Sequence, residues 1–443
     1  MNIRVEVDQP TTFDAFAPVQ LVLPGRTVSC RLKVNFSPFV QLGKPNCPEL
    51  LDMLLLSSIV YALDRRVLRS SAEDNWTRSF SFNLPVDKPA LWKGIKATID
   101  QCLSFLTGDE WDINFRQRAT RLMDVQKEGK TESLWEVGAA SLFSGGLDSL
   151  VGVIDWLEQN PRSSIVLVGH HDPRIAGPYS DQNRVFNILL SKYSARVHPL
   201  FTSVGADSGE ETSLRSRSFL FIALGLYAAH QFSDTLPLLI PENGTMALNV
   251  PLTPSRVGSC STRTVHPYYL SLLREILPHL GVHNPLFNPL ELKTKGECLS
   301  ECLNQEVLKL AIPYSASCAK RGHKSSWIHR SAKQCGCCIP CIYRRAALHK
   351  IDLDTEAYGR DFCRGEVKIR SRLKHADDLR AYLTFLHEDY SSKELGKLLL
   401  LNGRLDLTQL DVYADVIQRA SDEVRDLLRD KAKKEIKREA GLT

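Results

Sequence analysis

Apolar and polar residues alternate with a period of two at Arg4–Val7, Val19–Val22 and Ser29–Val34, which predicts half-buried strands. Leu50–Val67 instead carries an apolar stripe and predicts an amphipathic helix. The pattern changes at Trp135. Glu136–Phe143 is a short apolar strand candidate that stops at Ser144-Gly145-Gly146. Asp148–Glu158 follows with Leu150, Val151, Ile154 and Leu157 at helical spacing. Ser164–Gly169 predicts a second strand, Gln182–Lys192 a second helix, Arg196–Phe201 a third strand and Leu214–Gln231 a long helix. Leu236–Pro241 is one more short apolar run. Strands alternating with helices of this length form βαβ units, whose parallel sheet is covered on both faces. Ligands in such sheets bind beyond the carboxyl ends of the strands.

These shifts divide the chain into an N-terminal extension of mixed strands and helix (residues 1–135), an α/β domain (136–350) and a charged, helical C-terminal region (351–443). The last is marked by the stripes Leu379-Tyr382-Leu383-Leu386 and Val416-Ile417-Ala420-Val424. Neither Leu50–Leu63 nor Phe219–Ala229 reaches the roughly 18 apolar residues that a membrane span needs. The chain reads as soluble and cytoplasmic, with no membrane partner. A net charge of +5, from 56 basic and 51 acidic residues, does not mark a nucleic-acid binder. In such a chain the 12 cysteines point to metal or reactive thiols rather than disulfides.

Two motifs carry chemistry. In Phe143-Ser144-Gly145-Gly146-Leu147-Asp148-Ser149 the paired glycines let the backbone turn sharply and approach a ligand. The helix that follows directs unpaired N–H groups and a positive dipole end at that ligand, and two serine hydroxyls stand beside it. This suits a phosphate or pyrophosphate. Asp148 is sensible there if Mg²⁺ accompanies the phosphates. No Gly-Lys-Ser/Thr follows, so the turn is not the P-loop of kinases.

The second motif is Cys335-Gly336-Cys337-Cys338-Ile339-Pro340-Cys341. Cys335, Cys338 and Cys341 recur every third residue, so one compact turn aims three thiolates at a common point. Tetrahedral zinc needs a fourth ligand, and Cys318 is the nearest upstream thiol, with His323, His329 and Cys337 as competitors. The remaining cysteines read as buried structure, with Cys260 in a polar loop as a candidate nucleophile.

The glycine turn resembles the SGGxDS signature of the PP-loop ATP pyrophosphatases. With the later cysteine cluster it resembles the 7-cyano-7-deazaguanine synthase (QueC) family over residues 137–350. Pro289–Glu297 is similar to the segment before that family's zinc region, where a Thr-Lys pair, here Thr294-Lys295, opens a helix. The flanking segments make the layout most like the long QueC-like, QatC-type proteins of anti-phage systems.

The resemblance implies an α/β fold of the PP-loop, HUP-like kind, with ATP, Mg²⁺ and zinc. Its implied reaction is adenylation of a 7-deazaguanine carboxylate. The activated base then becomes an amide or nitrile, or passes to an acceptor protein. Phe143–Ser149 with Arg215 and Arg217 would hold the nucleotide, and Asp148, Ser149 and Lys295 would act in catalysis. Glu242, Asn243, Arg256, Arg263 and His266 are the candidate substrate contacts. Gly169-His170-His171-Asp172-Pro173 departs from the aromatic-Gly-Gln run of that family.

Overall fold

A computed structural model describes residues 1–10, 15–25, 29–40, 42, 47–123, 135–173, 177–207, 211, 214–256, 263–369 and 374–442. Within them the chain is α/β. Ten strands form one sheet: β1 (Asn2–Val7), β2 (Val19–Val22), β3 (Cys30–Val34), β4 (Ser79–Val86), β5 (Glu110–Gln117), β6 (Val137–Leu142), β7 (Ser164–His171), β8 (Val197–Ala206), β9 (Leu238–Leu239) and β10 (Leu286–Phe287). Their order across the sheet is β10-β9-β6-β7-β8-β3-β2-β1-β4-β5. Six of the nine pairings are parallel, and the three antiparallel ones are β1/β2, β2/β3 and β3/β8.

The N-terminal strands do not make a sheet of their own. Leu32 pairs with Ala206 and Val34 with Val204, so β3 extends the sheet from the edge of β8, across the boundary expected near residue 135. β4 and β5, which the sequence reading did not name, complete it. In β5 the side chains of Trp111, Ile113 and Phe115 are buried while their neighbours face solvent.

The central strands are buried on both faces, as parallel strands under crossover helices require. Ala140, Leu142, Val166 and Val168 point into a core shared with the helices Pro48–Arg66, Arg217–Phe232 and Pro267–His279. Ala139, Ile165 and Leu167 point into the opposite core, under the helices Leu147–Gln159 and Pro178–Tyr193. The expected stripe Leu50–Val67 is buried almost all round rather than on one face, because it lies under both the sheet and Arg217–Phe232. β9 is only two residues long; Pro237 and Pro241 bracket it and supply no ladder donor.

The C-terminal helices Asp377–Glu388, Ser392–Asn402 and Leu410–Lys431 bury their predicted stripes in a third core, which also contains Cys335, Cys338 and Cys341. No helix among the described residues is long and apolar enough to cross a membrane.

Candidate functional site

β6 delivers the chain to the glycine turn. Phe143 N donates to the Val168 carbonyl at 2.8 Å, and its ring stacks on Phe201. Gly145 has φ +76°, and a Cβ there would lie 3.0 Å from the Gln182 backbone nitrogen, so the turn closes only with glycine. Two outside segments hold it. Gln182 Nε2 donates to the Phe143 carbonyl at 3.0 Å, and Ala316 N donates to the Gly145 carbonyl at 3.2 Å. Both serine hydroxyls are engaged inside the turn. Ser144 Oγ accepts from Gly146 N at 3.3 Å and lies 3.2 Å from Ser149 Oγ, which donates to the Gly146 carbonyl at 3.0 Å. Leu147 turns into the core and anchors the helix start.

Asp148, in the first turn of that helix, is gripped by side chains from two distant segments. Lys295 Nζ stands 2.6 and 2.5 Å from its two carboxylate oxygens, and Asn243 Nδ2 donates to Oδ2 at 3.1 Å. Asn243 Oδ1 accepts from Met246 N at 3.1 Å, capping the short helix Gly244–Leu248 and fixing which way the amide points. Lys295 follows Thr294, whose hydroxyl forms a capping box with Glu297. Glu423, from the helix Leu410–Lys431, braces this corner by accepting from Thr294 Oγ1 at 2.5 Å and from Gly296 N at 3.1 Å.

Glu242 leaves the end of β9 with its backbone fixed by Asn288, which accepts from Glu242 N at 3.2 Å and donates to its carbonyl at 2.8 Å. Burial, and next the charge of Asp148, push the Glu242 carboxyl up to about 8, although Lys295 pulls the other way. Near neutral pH Glu242 therefore holds its proton. Two carboxyl groups share a single ammonium at the carboxyl ends of β6 and β9, where an α/β sheet places its ligands. Both Asp148 oxygens receive Lys295, and one also receives Asn243, so a cation at Asp148 would meet the Lys295 ammonium.

The other expected residues divide. Arg217 lies near the turn: its Nη2 donates at 3.0 Å to the His170 carbonyl, which Gln182 Nε2 also approaches at 3.4 Å. Arg256 pairs with Asp378 at 2.6 Å. Arg215 does not reach the turn. It stacks on Trp76 and approaches the Thr107 carbonyl at 3.4 Å, among N-terminal residues. Arg263 stacks 4.4 Å above the Phe105 ring and donates to the Phe105 carbonyl at 2.8 Å, also away from Asp148. His266 caps the helix Pro267–His279 by accepting from Tyr268 N at 3.2 Å. Burial and the charge of Arg263 lower its pKa to about 3, so it is a neutral cap rather than a proton carrier near pH 7. Cys260 lies outside the described residues.

The sulfurs of Cys318, Cys335, Cys338 and Cys341 lie within 4.8 Å of one another. A zinc tetrahedron with Zn–S bonds of about 2.3 Å has edges of about 3.8 Å. The Cys335–Cys341 separation of 3.7 Å matches that edge. Backbone donors already converge on two of the sulfurs: Cys335 N and Lys320 N on Cys318 Sγ, at 3.3 and 3.4 Å, and Cys338 N and Cys337 N on Cys335 Sγ, at 3.3 and 3.5 Å. Such donors suit thiolates, and the set fits a metal such as zinc. Cys337 stands outside the set of four, and His329 pairs with Glu366 instead. Gly336, at φ +83°, bends the loop where any Cβ would strike the Arg360 carbonyl.

One segment joins the cluster to the turn. Ala316, bonded to Gly145, lies two residues before Cys318. Ser317 N donates to Gln334 Oε1 at 3.3 Å, and Gln334 Nε2 donates to the Ser315 carbonyl at 3.2 Å, immediately before Cys335. The buried Arg344 adds a bond from Nη1 to Ser315 Oγ at 3.0 Å. Gln182, Asn288, Ala316 and Glu423 all shape the site and escaped the sequence reading. Each acts through a single long-range hydrogen bond or a pair of them, and no local spacing announces such a contact. Comparison of the chain with protein-family models returns no match, and comparison with curated proteins returns none.

Proposed function

We propose that the chain is a PP-loop ATP pyrophosphatase, similar to 7-cyano-7-deazaguanine synthase, that adenylates the carboxylate of a 7-deazaguanine acid. The observation that carries this reading is the grip on Asp148 by Lys295 and Asn243, directly after a glycine-dependent turn that opens a helix. The N–H groups of that helix's first turn have no intrahelical acceptor and suit the triphosphate.

In this reading the carboxylate oxygen attacks the α-phosphorus of ATP. The new C(O)–O–P bond forms as the α–β P–O bond breaks, and pyrophosphate leaves with the electron pair. No proton is consumed. Lys295 stands where negative charge accumulates on the phosphates, and Asp148 and Asn243 hold it there. Mg²⁺ would arrive on the nucleotide. Zinc, held by Cys318, Cys335, Cys338 and Cys341, would serve as a structural pin for the segment that fixes Gly145. The acyl-adenylate is then open to a positioned nitrogen nucleophile, ammonia or an amine on an acceptor protein of the same defence system.

The test is pyrophosphate release by metal-replete protein given ATP with and without 7-carboxy-7-deazaguanine. Release should require the acid. Asp148→Ala should reduce it by about 10³-fold, the scale of losing a charge-positioning group in a catalytic site. Acid-independent release, or wild-type rates in the variant, would overturn the reading.

A further inference from the structure

A cavity of about 400 Å³ has Arg217, Met246, Leu252, Ala319, Ile339 and Pro340 in its lining. We infer that this cavity is the binding site for the acid, and that Arg217 holds its carboxylate while apolar walls enclose a flat ring system. The inference rests on the reading above and deepens it, since the turn and Lys295 account for the nucleotide but leave the acid without a place.

Position argues first. The elements that fix the turn continue into the walls of the cavity. Asn243, which holds Asp148, caps the short helix that carries Met246 into the lining. Ala316, which holds Gly145, precedes the lining residue Ala319 by three positions. Arg217 reaches the His170 carbonyl, one bond from the Gln182 amide that fixes Phe143. A ligand here is therefore flanked by the same three supports that shape the nucleotide turn.

Charge argues second. Among the described residues, three charged ones line the cavity: Arg217, Arg256 and Asp378. Arg256 and Asp378 neutralise each other at 2.6 Å, and Lys320 adds a further cation on Asp378 at 2.7 Å. Arg217 forms no ion pair among the described residues; it donates to a carbonyl and lies 5.7 Å from the Phe221 ring centroid. Tyr61 and Asp172 act on it only through space, and burial holds the guanidinium below its ordinary value. A half-buried guanidinium with donors to spare, inside a net-positive cavity, selects an anion, and its planar fork suits a carboxylate.

Shape argues third. Val250, Pro251 and Leu252 on one segment and Ile339 and Pro340 on another give walls without charge. Small-molecule sites are of this size and kind, mostly apolar with a few fixed polar groups. Ile339 and Pro340 follow Cys338 directly, so the metal cluster sets the position of one wall.

The test is calorimetry on metal-replete, full-length protein with three probes: MgATP, 7-carboxy-7-deazaguanine and its uncharged 7-carboxamide. Arg217→Met should weaken the acid by about 10- to 100-fold, as loss of a charge-assisted pair does. It should leave the carboxamide within about twofold and MgATP unchanged. Leu252→Trp, which fills the cavity, should abolish binding of acid and carboxamide alike and spare MgATP. The inference is overturned if the wild type binds neither acid nor carboxamide. It is equally overturned if Arg217→Met weakens both equally or leaves the acid unchanged, or if either variant loses MgATP, which would make the cavity the nucleotide's. Failure of the wild type to bind MgATP while the acid binds and discriminates through Arg217 would instead overturn the adenylation reading alone.

Discussion

Two of the buried ionic clusters, one N-terminal and one around Asp148, are built on opposite plans. In the N-terminal one, Asp64 and Asp109 face Arg69 and Arg78, two anions against two cations. Arg78 Nη2 lies 2.7 Å from Asp64 and 2.6 Å from Asp109, and Arg69 Nη1 lies 3.0 Å from Asp109. Ser216 fills the remaining Asp64 oxygen through its amide and hydroxyl, at 3.1 and 2.8 Å. Burial pushes the Asp64 carboxyl up, yet Arg78 and Ser216 leave it below its ordinary value. At Asp148 two carboxyl groups face one lysine, and Glu242 keeps a proton because burial, and next the charge of Asp148, outweigh the pull of Lys295. A saturated cluster fixes one arrangement. An unsaturated one is poised to change when charge arrives, as the proposed function requires.

The largest separation between the two should come from the metal. A metal held by the four cysteines would pin the Ala316–Cys318 segment, so chelation, or Cys338→Ser, should free the Gly145 carbonyl. Hydrogen exchange at the amides of residues 145–149 should accelerate by about 100-fold or more, a local opening. Exchange in β4 and β5, which begin directly after Arg78 and Asp109, should be unchanged. Equal acceleration in both would mean that the metal holds the whole fold, and the contrast would disappear.

Stability should separate them in the opposite direction. Asp109→Ala strands the guanidinium groups of Arg69 and Arg78 in a buried position and should cost about 3–5 kcal/mol. Asp148→Ala removes one of two competing carboxyls and frees Lys295 to pair with Glu242, so its cost should stay within about 1 kcal/mol. Denaturant midpoints with unchanged slopes decide this. A cost at Asp148 as large as at Asp109 would make both clusters structural.

The sequence reading reached one cluster and missed the other, for a physical reason. Phe143–Ser149, Lys295 and the four cysteines are legible because their chemistry is local: a glycine pair, a helix start, thiols three residues apart. Glu242 and Asn243 were legible as the end of an apolar run, the place an α/β sheet puts its ligands. The N-terminal cluster draws Asp64, Arg69, Arg78, Asp109 and Ser216 from five separate points, and nothing in their spacing joins them. It also explains Arg215. Read from the sequence, Arg215 and Arg217 open one helix and look equivalent. Asp64 binds Ser216 between them and sends Arg215 toward Trp76, leaving Arg217 on the His170 carbonyl. β5 was missed because alternating charges lower its hydropathy, even though Trp111, Ile113 and Phe115 mark the buried face.

The smallest effect, and the one that tests the unsaturated cluster directly, is the dependence of stability on pH. Glu242 has an ordinary value of 4.5 and a folded value of about 8, so between those limits the folded chain binds a proton that the unfolded chain has lost. Stability therefore falls as pH rises through this window, by at most about 1.4 kcal/mol per unit, the limit for one proton. Lys295 and Asp148 face the group, and the proton belongs to the carboxyl pair, which blunts the slope. Glu242→Gln keeps the shape and removes the titration. Its unfolding midpoint should match that of the wild type near pH 4.5 and exceed it increasingly toward pH 8. Parallel curves, or a wild type that gains on the variant as pH rises, would show that Glu242 is already ionised and paired, and that the cluster around Asp148 is as complete as the one around Asp109.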